Sequence, residues 1–174
     1  MQLQEAIELI QHDRWKTTGK QTWADFGCGT GLFTYSLAHL LPEGSTIYSI
    51  DEDAGALRQI RSTDKVNIKT IQSDFTLQLP LSGLDGILMA NSLHYIKDKT
   101  GFVHKAAGYM KPGNSFLIVE YDSDKPVKTW VPYPVSFQSL KKIFSDAGYS
   151  SIQKLNERRS VYNNGVIYSA LVTT

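Results

Sequence analysis

The chain reads as an α/β protein built on a parallel sheet, and three observations carry that reading. Short β-rich apolar runs alternate with amphipathic stretches from Thr22 to Asp122, the pattern left by repeated strand–helix–strand units. A glycine-rich loop, Gly27 to Gly31, falls between the first strand and the helix that follows, where open α/β sheets bind ligands. The composition suits a packed domain: 174 residues that are 41% hydrophobic, 11% aromatic and 20% charged fit one filled core and not a disordered chain.

The elements follow in order. Met1 to Trp15 spaces Leu3, Ile7 and Ile10 for an amphipathic helix, interrupted by Glu5 and Glu8, so it is no signal-peptide core and is expected to stay on the mature chain. The first strand covers Gln21 to Phe26, and the helix after the glycine loop buries Leu32, Phe33, Leu37, Leu40 and Leu41 before Pro42-Glu43-Gly44 stops it. A second strand, Thr46 to Ile50, runs into Asp51-Glu52-Asp53, and a short helix carries Ala56, Leu57 and Ile60. Val66 to Ser73 makes the third strand and ends at Asp74.

Leu84 to Ala90 is apolar enough for a fourth strand buried on both faces. Phe102, Val103, Ala106, Ala107 and Met110 mark the next helix, which Lys111-Pro112-Gly113 is expected to end, and Phe116 to Tyr121 forms a fifth strand. The stretch from Asp122 to Val135 holds three prolines with Trp130 and Tyr133. It is either the rim of a site or a hydrophobic latch on the core. Ser136 caps a helix through Ala147 with Gly148 as its stop, and Tyr149–Asn156 pairs with Val166–Val172 as an antiparallel hairpin across Asn163-Asn164-Gly165.

Charge and cysteine content exclude several functions. Lysine and arginine number 18 against 17 acids, a net charge of +1, which leaves no broad footprint for nucleic acid or an anionic membrane. A lone cysteine, Cys28, makes neither an internal disulfide nor a cysteine-rich zinc site. No apolar run is long enough for a transmembrane helix. The expected location is cytoplasmic, as a monomer or homodimer, with no metal.

The chemistry concentrates at Asp25-Phe26-Gly27-Cys28-Gly29-Thr30-Gly31. Alternate glycines let the backbone turn sharply and approach a ligand with no Cβ in the way, although a tight turn alone has the same pattern. Asp51 lies at the end of the next strand, where a carboxylate accepts hydrogen bonds from ribose hydroxyls. Its other reading is a cap on the helix starting near Asp53. Together the two features point to a nucleoside-containing cofactor. A nicotinamide enzyme needs G-x-G-x-x-G, whereas here the third glycine comes one residue early and Leu32 stands at the required position.

The stretch DFGCGTG, Ile50-Asp51, Ser73-Asp74-Phe75 and the run Asn91 to Ile96 together resemble a class I S-adenosylmethionine-dependent methyltransferase of the small-molecule, type 11/12-like branch. The likeness extends to Asp146-Ala147-Gly148-Tyr149 near the carboxy terminus. It implies a Rossmann-like three-layer sandwich with a seven-stranded, mostly parallel sheet and an antiparallel carboxy-terminal hairpin. One domain over 1–174 is expected: 1–20 as helix and lead-in, 21–122 as the cofactor-binding core, and 123–174 on the acceptor side.

Position by position, the resemblance implies that Asp25 with Gly27, Cys28, Gly29 and Gly31 forms the loop around the methionine portion of S-adenosylmethionine. Asp51 takes the ribose, and Glu52 packs beside the adenosine. Asp74 accepts from the adenine amine, with Phe75 beside it. Asn91 offers its carbonyl to the methionine ammonium. Read by themselves, Asp74 could be an ordinary turn aspartate and Asn91 a strand terminator. His94, just past the fourth strand, is the candidate general base, since imidazoles titrate near neutrality; it is also readable as a loop histidine that shapes the pocket. Tyr95, Tyr121, Trp130 and Tyr133 are candidates for the acceptor side, or packing residues.

Missing features narrow the acceptor. No Asn/Asp-Pro-Pro-Tyr/Phe run follows the fourth strand and no second cysteine is present, which argues against nucleobase methylation. Asp122 and Asp124 are only a faint echo of a metal-dependent acceptor site. The expected activity is methyl transfer to a small molecule, giving S-adenosylhomocysteine. A protein acceptor, a non-catalytic cofactor-binding or partner-regulating protein, and a nicotinamide oxidoreductase are the competing readings.

Overall fold

A computed structural model describes residues 1–16, 19–160 and 165–174. Seven strands form one sheet: β1 (Thr22–Phe26), β2 (Thr46–Asp51), β3 (Asn67–Gln72), β4 (Leu84–Ala90), β5 (Met110–Tyr121), β6 (Ser151–Arg159) and β7 (Val166–Thr173). Their order is β3-β2-β1-β4-β5-β7-β6, with β7 antiparallel to both neighbours and the remaining pairs parallel. Among the described residues the α-helices are α1 (Leu3–Ile10), α2 (Leu32–Leu40), α3 (Ala54–Leu57), α4 (Lys99–Ala107) and α5 (Phe137–Asp146).

Strand alternation builds two cores, one on each face of the sheet. Phe26, Ile87, Met89, Phe116, Ile118 and Tyr168 pack with Phe102 and Val103 of α4 and with Leu140 and Phe144 of α5. On the other face, Trp23, Leu88, Leu117, Val119 and Leu171 meet Leu9 and Ile10 of α1, Leu37 of α2 and Leu57 of α3. The result is the three-layer sandwich with a mostly parallel sheet that the sequence predicts. The edge strands β3 and β6 expose much of their length and carry Lys69, Lys154, Glu157 and Arg159, charges that discourage edge-to-edge pairing.

Several boundaries differ from the sequence reading. The amino-terminal helix stops at Ile10, and a 3₁₀ turn, Asp13–Trp15, seats the buried Trp15. The helix after Asp53 is a single turn, so Ile60 is buried beyond its end. Met110 belongs to β5 and not to the preceding helix, pairing with Leu84. The pairing then resumes at Gly86 with Ser115, so Lys111-Pro112-Gly113 is extra chain accommodated in the strand and not a helix stop. Ser136 caps α5 by accepting the Ser139 amide at 3.1 Å, as its sequence position implies. Of the hairpin turn, Asn163 and Asn164 lie outside the described residues.

The sheet order reverses between β1 and β4, which opens a crevice beyond their carboxy-terminal ends. The glycine loop leaves β1 there, and Asn91 leaves β4. Ser92 Oγ donates to the Phe26 carbonyl at 2.6 Å and fastens the two loops together.

Candidate functional site

Gly27 sits at the bottom of the crevice. Its φ of +75° is in the left-handed region, and a Cβ on it would stand 2.7 Å from Ser92 Cβ, so glycine is required twice over. The Gly27 and Cys28 amides both donate to the Ile50 carbonyl, at 2.9 and 3.1 Å. This pulls the loop against the end of β2, where Asp51 projects. Asp51 is not the cap of α3: Asp53 takes that role, accepting from the Gly55 and Ala56 amides. Asp51 instead accepts the Gly29 amide at 2.8 Å and the Asp53 amide at 2.9 Å.

These residues border a cavity of about 410 Å³ lined by Gly27, Asp51, Glu52, Asp74, Phe75, Thr76, Asn91, Ser92 and Tyr95. Six residues expected to face the cofactor therefore share one wall: Gly27, Asp51, Glu52, Asp74, Phe75 and Asn91. Asp74 is also a turn residue, its Oδ1 accepting the Thr76 amide at 2.7 Å. Phe75 is fixed by stacking on Phe26 and edge contact with Phe102.

Four other expected residues do not line the cavity. Asp25 is fully buried beneath the loop, accepting from Thr34 Oγ1 at 2.6 Å while its Oδ1 has no partner among the described residues. Burial pushes its carboxyl up to about 7, against the Thr34 hydrogen bond and with help from the Asp51 charge. Gly31 caps α2 and faces Ile60 and Tyr35. Gly29 gives its amide to Asp51. Burial raises the Cys28 thiol far above its ordinary value, reinforced by Asp25 and Asp51, so it is a small packing group and not a nucleophile.

A second cavity, of about 660 Å³, adjoins the first and is lined by Asn91, His94, Tyr95, Tyr121, Ser123, Lys125, Val127, Trp130, Val131 and Pro134. Asn91 and Tyr95 border both. Asn91 is held at a left-handed φ of +54° with its Oδ1 buried and unpartnered among the described residues, a strained residue of the kind that collects at ligand sites. The long loop is thus a rim: Trp130 is 73% exposed beside the cavity. Tyr133 is not part of this wall; its amide donates to the His94 carbonyl at 3.0 Å, and Lys99 packs over its ring.

His94 is 3% exposed on the 3₁₀ turn after β4. Its Nδ1 lies 2.8 Å from Glu120 Oε2, and its amide donates to Glu120 Oε1 at 3.1 Å. Glu120, near the end of β5 and 1% exposed, was not expected from the sequence. The available signal was a lone acid inside the apolar run Phe116–Tyr121, which demands a partner when buried. Asp122 and Asp124 serve α5 instead, accepting from the Phe137 amide and from Ser136 and Ser139. Among the described residues no cluster of three or more His, Cys, Asp or Glu is placed to hold a metal ion, and no helix is long and apolar enough to cross a membrane.

The chemistry of the first cavity discriminates between cofactors. Three carboxylates and no lysine or arginine line it, which repels a pyrophosphate and suits a ligand presenting hydroxyls, amines and positive charge. A Rossmann-like sheet with such a site at its switch point places the chain among α/β proteins with a cavity of that chemistry. Residues 24–116, just over half of the chain, match the family described as methyltransferase domain, and the chain belongs to that family.

An uncharacterised methyltransferase of Mycobacterium tuberculosis is 30% identical over 105 residues, 59% of this chain and 52% of that protein. The chain thus spans about half the length of the curated relatives it matches. A methyltransferase from Aquifex aeolicus superposes with a TM-score of 0.65 at 16% identity, over 99% of this chain and 98% of its own. Magnesium protoporphyrin IX methyltransferase from Synechocystis, solved with bound S-adenosylmethionine, gives 0.69 at 14% identity, over 99% and 78%. At these identities the likeness is one of fold. The family is one of methyltransferase domains, and the neighbour solved with S-adenosylmethionine shares its fold with this chain.

Proposed function

We propose that the protein transfers a methyl group from S-adenosylmethionine to a small-molecule acceptor, with the cofactor in the first cavity and the acceptor in the second. The observation that carries this reading is that the two cavities meet at Asn91 and Tyr95, so ligands in both would touch across a shared wall. The bound cofactor supplies an activated methyl group on a sulfonium, open to in-line displacement.

The chain's own residues bind, orient and exclude water. Asp51 and Asp74 accept hydrogen bonds from the nucleoside, Phe75 flanks it, and Gly27 lets it approach the backbone. Asp25 supports the loop from below. Tyr95, Tyr121 and Trp130 give the acceptor an apolar wall, and His94 takes a proton from it.

The test is methyl transfer from labelled S-adenosylmethionine to a panel of small aromatic and aliphatic alcohols, amines and thiols, with His94→Ala in parallel. At least one acceptor is expected to be methylated by the natural chain, and His94→Ala to bind cofactor yet lose turnover. Full activity in His94→Ala would remove it from the mechanism.

A further inference from the structure

Asn91 borders three cavities, and the charge of their walls changes sign across it. Among the described residues the first carries Asp51, Glu52 and Asp74 with no lysine or arginine, whereas the second carries Lys125 with no aspartate or glutamate. The third, of about 230 Å³, shares Tyr121 with the second. It holds Arg158 and Arg159 against one acid, Glu5, whose carboxylate already accepts from Arg158 and from the Gln2 amide. The crevice is therefore acidic on one side of Asn91 and basic on the other.

The loop over 122–135 leaves that basic character uncompensated. Its two acids anchor it to α5 and β6: Asp122 accepts the Phe137 amide at 2.8 Å and the Lys154 ammonium at 3.3 Å, and Asp124 accepts the Ser136 and Ser139 hydroxyls at 2.8 and 2.7 Å. Its two lysines, Lys125 and Lys128, are exposed and form no ion pair among the described residues. The Lys125 amide donates to Ser123 Oγ at 3.1 Å, and Val127 and Val131 exchange backbone hydrogen bonds of 3.1 and 2.9 Å that close the tip carrying Trp130. Lys125 and Trp130 thus stand on one ordered loop at the same cavity. Glu120 lies behind His94, bonded to its amide and ring, and does not line that cavity.

We propose, resting on the methyltransferase reading above, that the acceptor is an organic acid, an apolar body bearing one carboxylate, and that Lys125 is the specificity-determining residue that takes the carboxylate by a charge-assisted hydrogen bond. Tyr95, Tyr121, Val127, Trp130 and Pro134 supply the apolar wall, with Trp130 and Val127 at 73% and 50% exposure, surface that a ligand body covers. The single lysine of this cavity balances a single negative charge. The acids of the first cavity repel that charge, so the carboxylate lies at Lys125 and the other end of the acceptor at the wall that Asn91 and Tyr95 share. Lys125 then selects among acceptors of one shape by the charge of the head group.

The experiment titrates para-tert-butylbenzoate, para-tert-butylbenzamide and para-tert-butylbenzylamine, which share one apolar body and differ in charge, into the natural chain, Lys125→Ala, Lys125→Glu and Lys128→Ala. Nitrogen NMR of the Trp130 indole N–H reports occupancy of the second cavity. The indoles of Trp15 and Trp23 are buried and donate to the Ile10 carbonyl and the Gln21 side chain, so their signals are expected to stay in place. The natural chain is expected to bind the benzoate about fivefold more tightly than the benzamide, the upper strength of a solvent-accessible ion pair, and the benzylamine most weakly. Lys125→Ala should bind benzoate and benzamide alike, and Lys125→Glu should favour the benzylamine. Lys128→Ala, on the same loop but outside the lining, should keep the natural order.

Equal affinity for the three probes in the natural chain, a tighter hold on the benzylamine, or a Trp130 signal that none of them moves overturns the acidic acceptor. A benzoate preference that survives in Lys125→Ala, or that Lys128→Ala abolishes, overturns the role of Lys125. S-adenosylhomocysteine is titrated into the same samples. Its failure to bind, with the benzoate preference intact, removes the methyltransferase reading and leaves the anion site standing; the converse pattern removes the acceptor class alone.

Discussion

Asp51 accepts the Gly29 amide at 2.8 Å across 22 residues of chain, so one carboxylate both borders the first cavity and sets the shape of the glycine loop. Its second oxygen, on the Asp53 amide at 2.9 Å, fixes the side chain before any ligand arrives. Preorganisation of this kind lowers the cost of binding.

Asp51→Ala should therefore weaken binding of S-adenosylhomocysteine by about 1.5 to 3 kcal/mol for each charged hydrogen bond removed, and loosen the glycine loop as well. Calorimetric titration reads the first effect. An unchanged affinity would take the ribose contact away from Asp51.

Gly27→Ala puts a Cβ 2.7 Å from Ser92 Cβ at a φ of +75°. The left-handed backbone alone costs about 1–2 kcal/mol, and the clash pushes apart the two loops that Ser92 fastens. The variant is expected to melt lower and to lose cofactor binding. Native affinity in this variant would show that the floor of the crevice does not touch the ligand.

Asp25 carries a pH signature. Burial raises its carboxyl from 3.8 to about 7 in the folded protein, so the folded state holds a proton that the unfolded chain has released. The associated stability is full below about pH 3.8, declines as pH rises, and is gone above about pH 7. The slope from this group is at most about 1.4 kcal/mol per pH unit. Asp25→Asn keeps an acceptor for Thr34 and removes the titration. The stability of the variant relative to the natural chain should then rise from about pH 5 to about pH 7 in paired urea melts. A difference independent of pH would mean that Asp25 is ionised throughout.

Cys28 should resist alkylation by iodoacetamide at neutral pH in the folded protein and react once unfolded, because burial and the carboxylates of Asp25 and Asp51 hold its thiol protonated. Rapid labelling of native protein would contradict that environment.

The fold was legible because its signals are local. The Leu84–Ala90 run, the Ser136 cap and the glycine loop each announce themselves within a few residues. Met110 misled because an apolar residue after Tyr109 fits the end of a helix as well as the start of a strand, and only its pairing with Leu84 decides. That Asp51 and Asp74 border one cavity was legible for the same reason as the fold: Asp51 ends β2 and Asp74 follows the end of β3. Glu120 was not, since it meets His94 across 26 residues, and the demand for a partner arises only once β5 is buried. Tyr133 shares the aromatic character of Trp130, and nothing local in the sequence separates the one that turns to Lys99 from the one at the cavity.

The cavity lined by Gly27, Asp51, Asp74 and Phe75 is proposed to hold an adenosyl cofactor. Calorimetric titration of cofactor-free protein with S-adenosylmethionine, S-adenosylhomocysteine and NAD tests it most directly. Both adenosyl ligands are expected to bind saturably and NAD not at all, because its pyrophosphate would meet three carboxylates and no basic side chain there. Binding of NAD, or of none of the three, would contradict it.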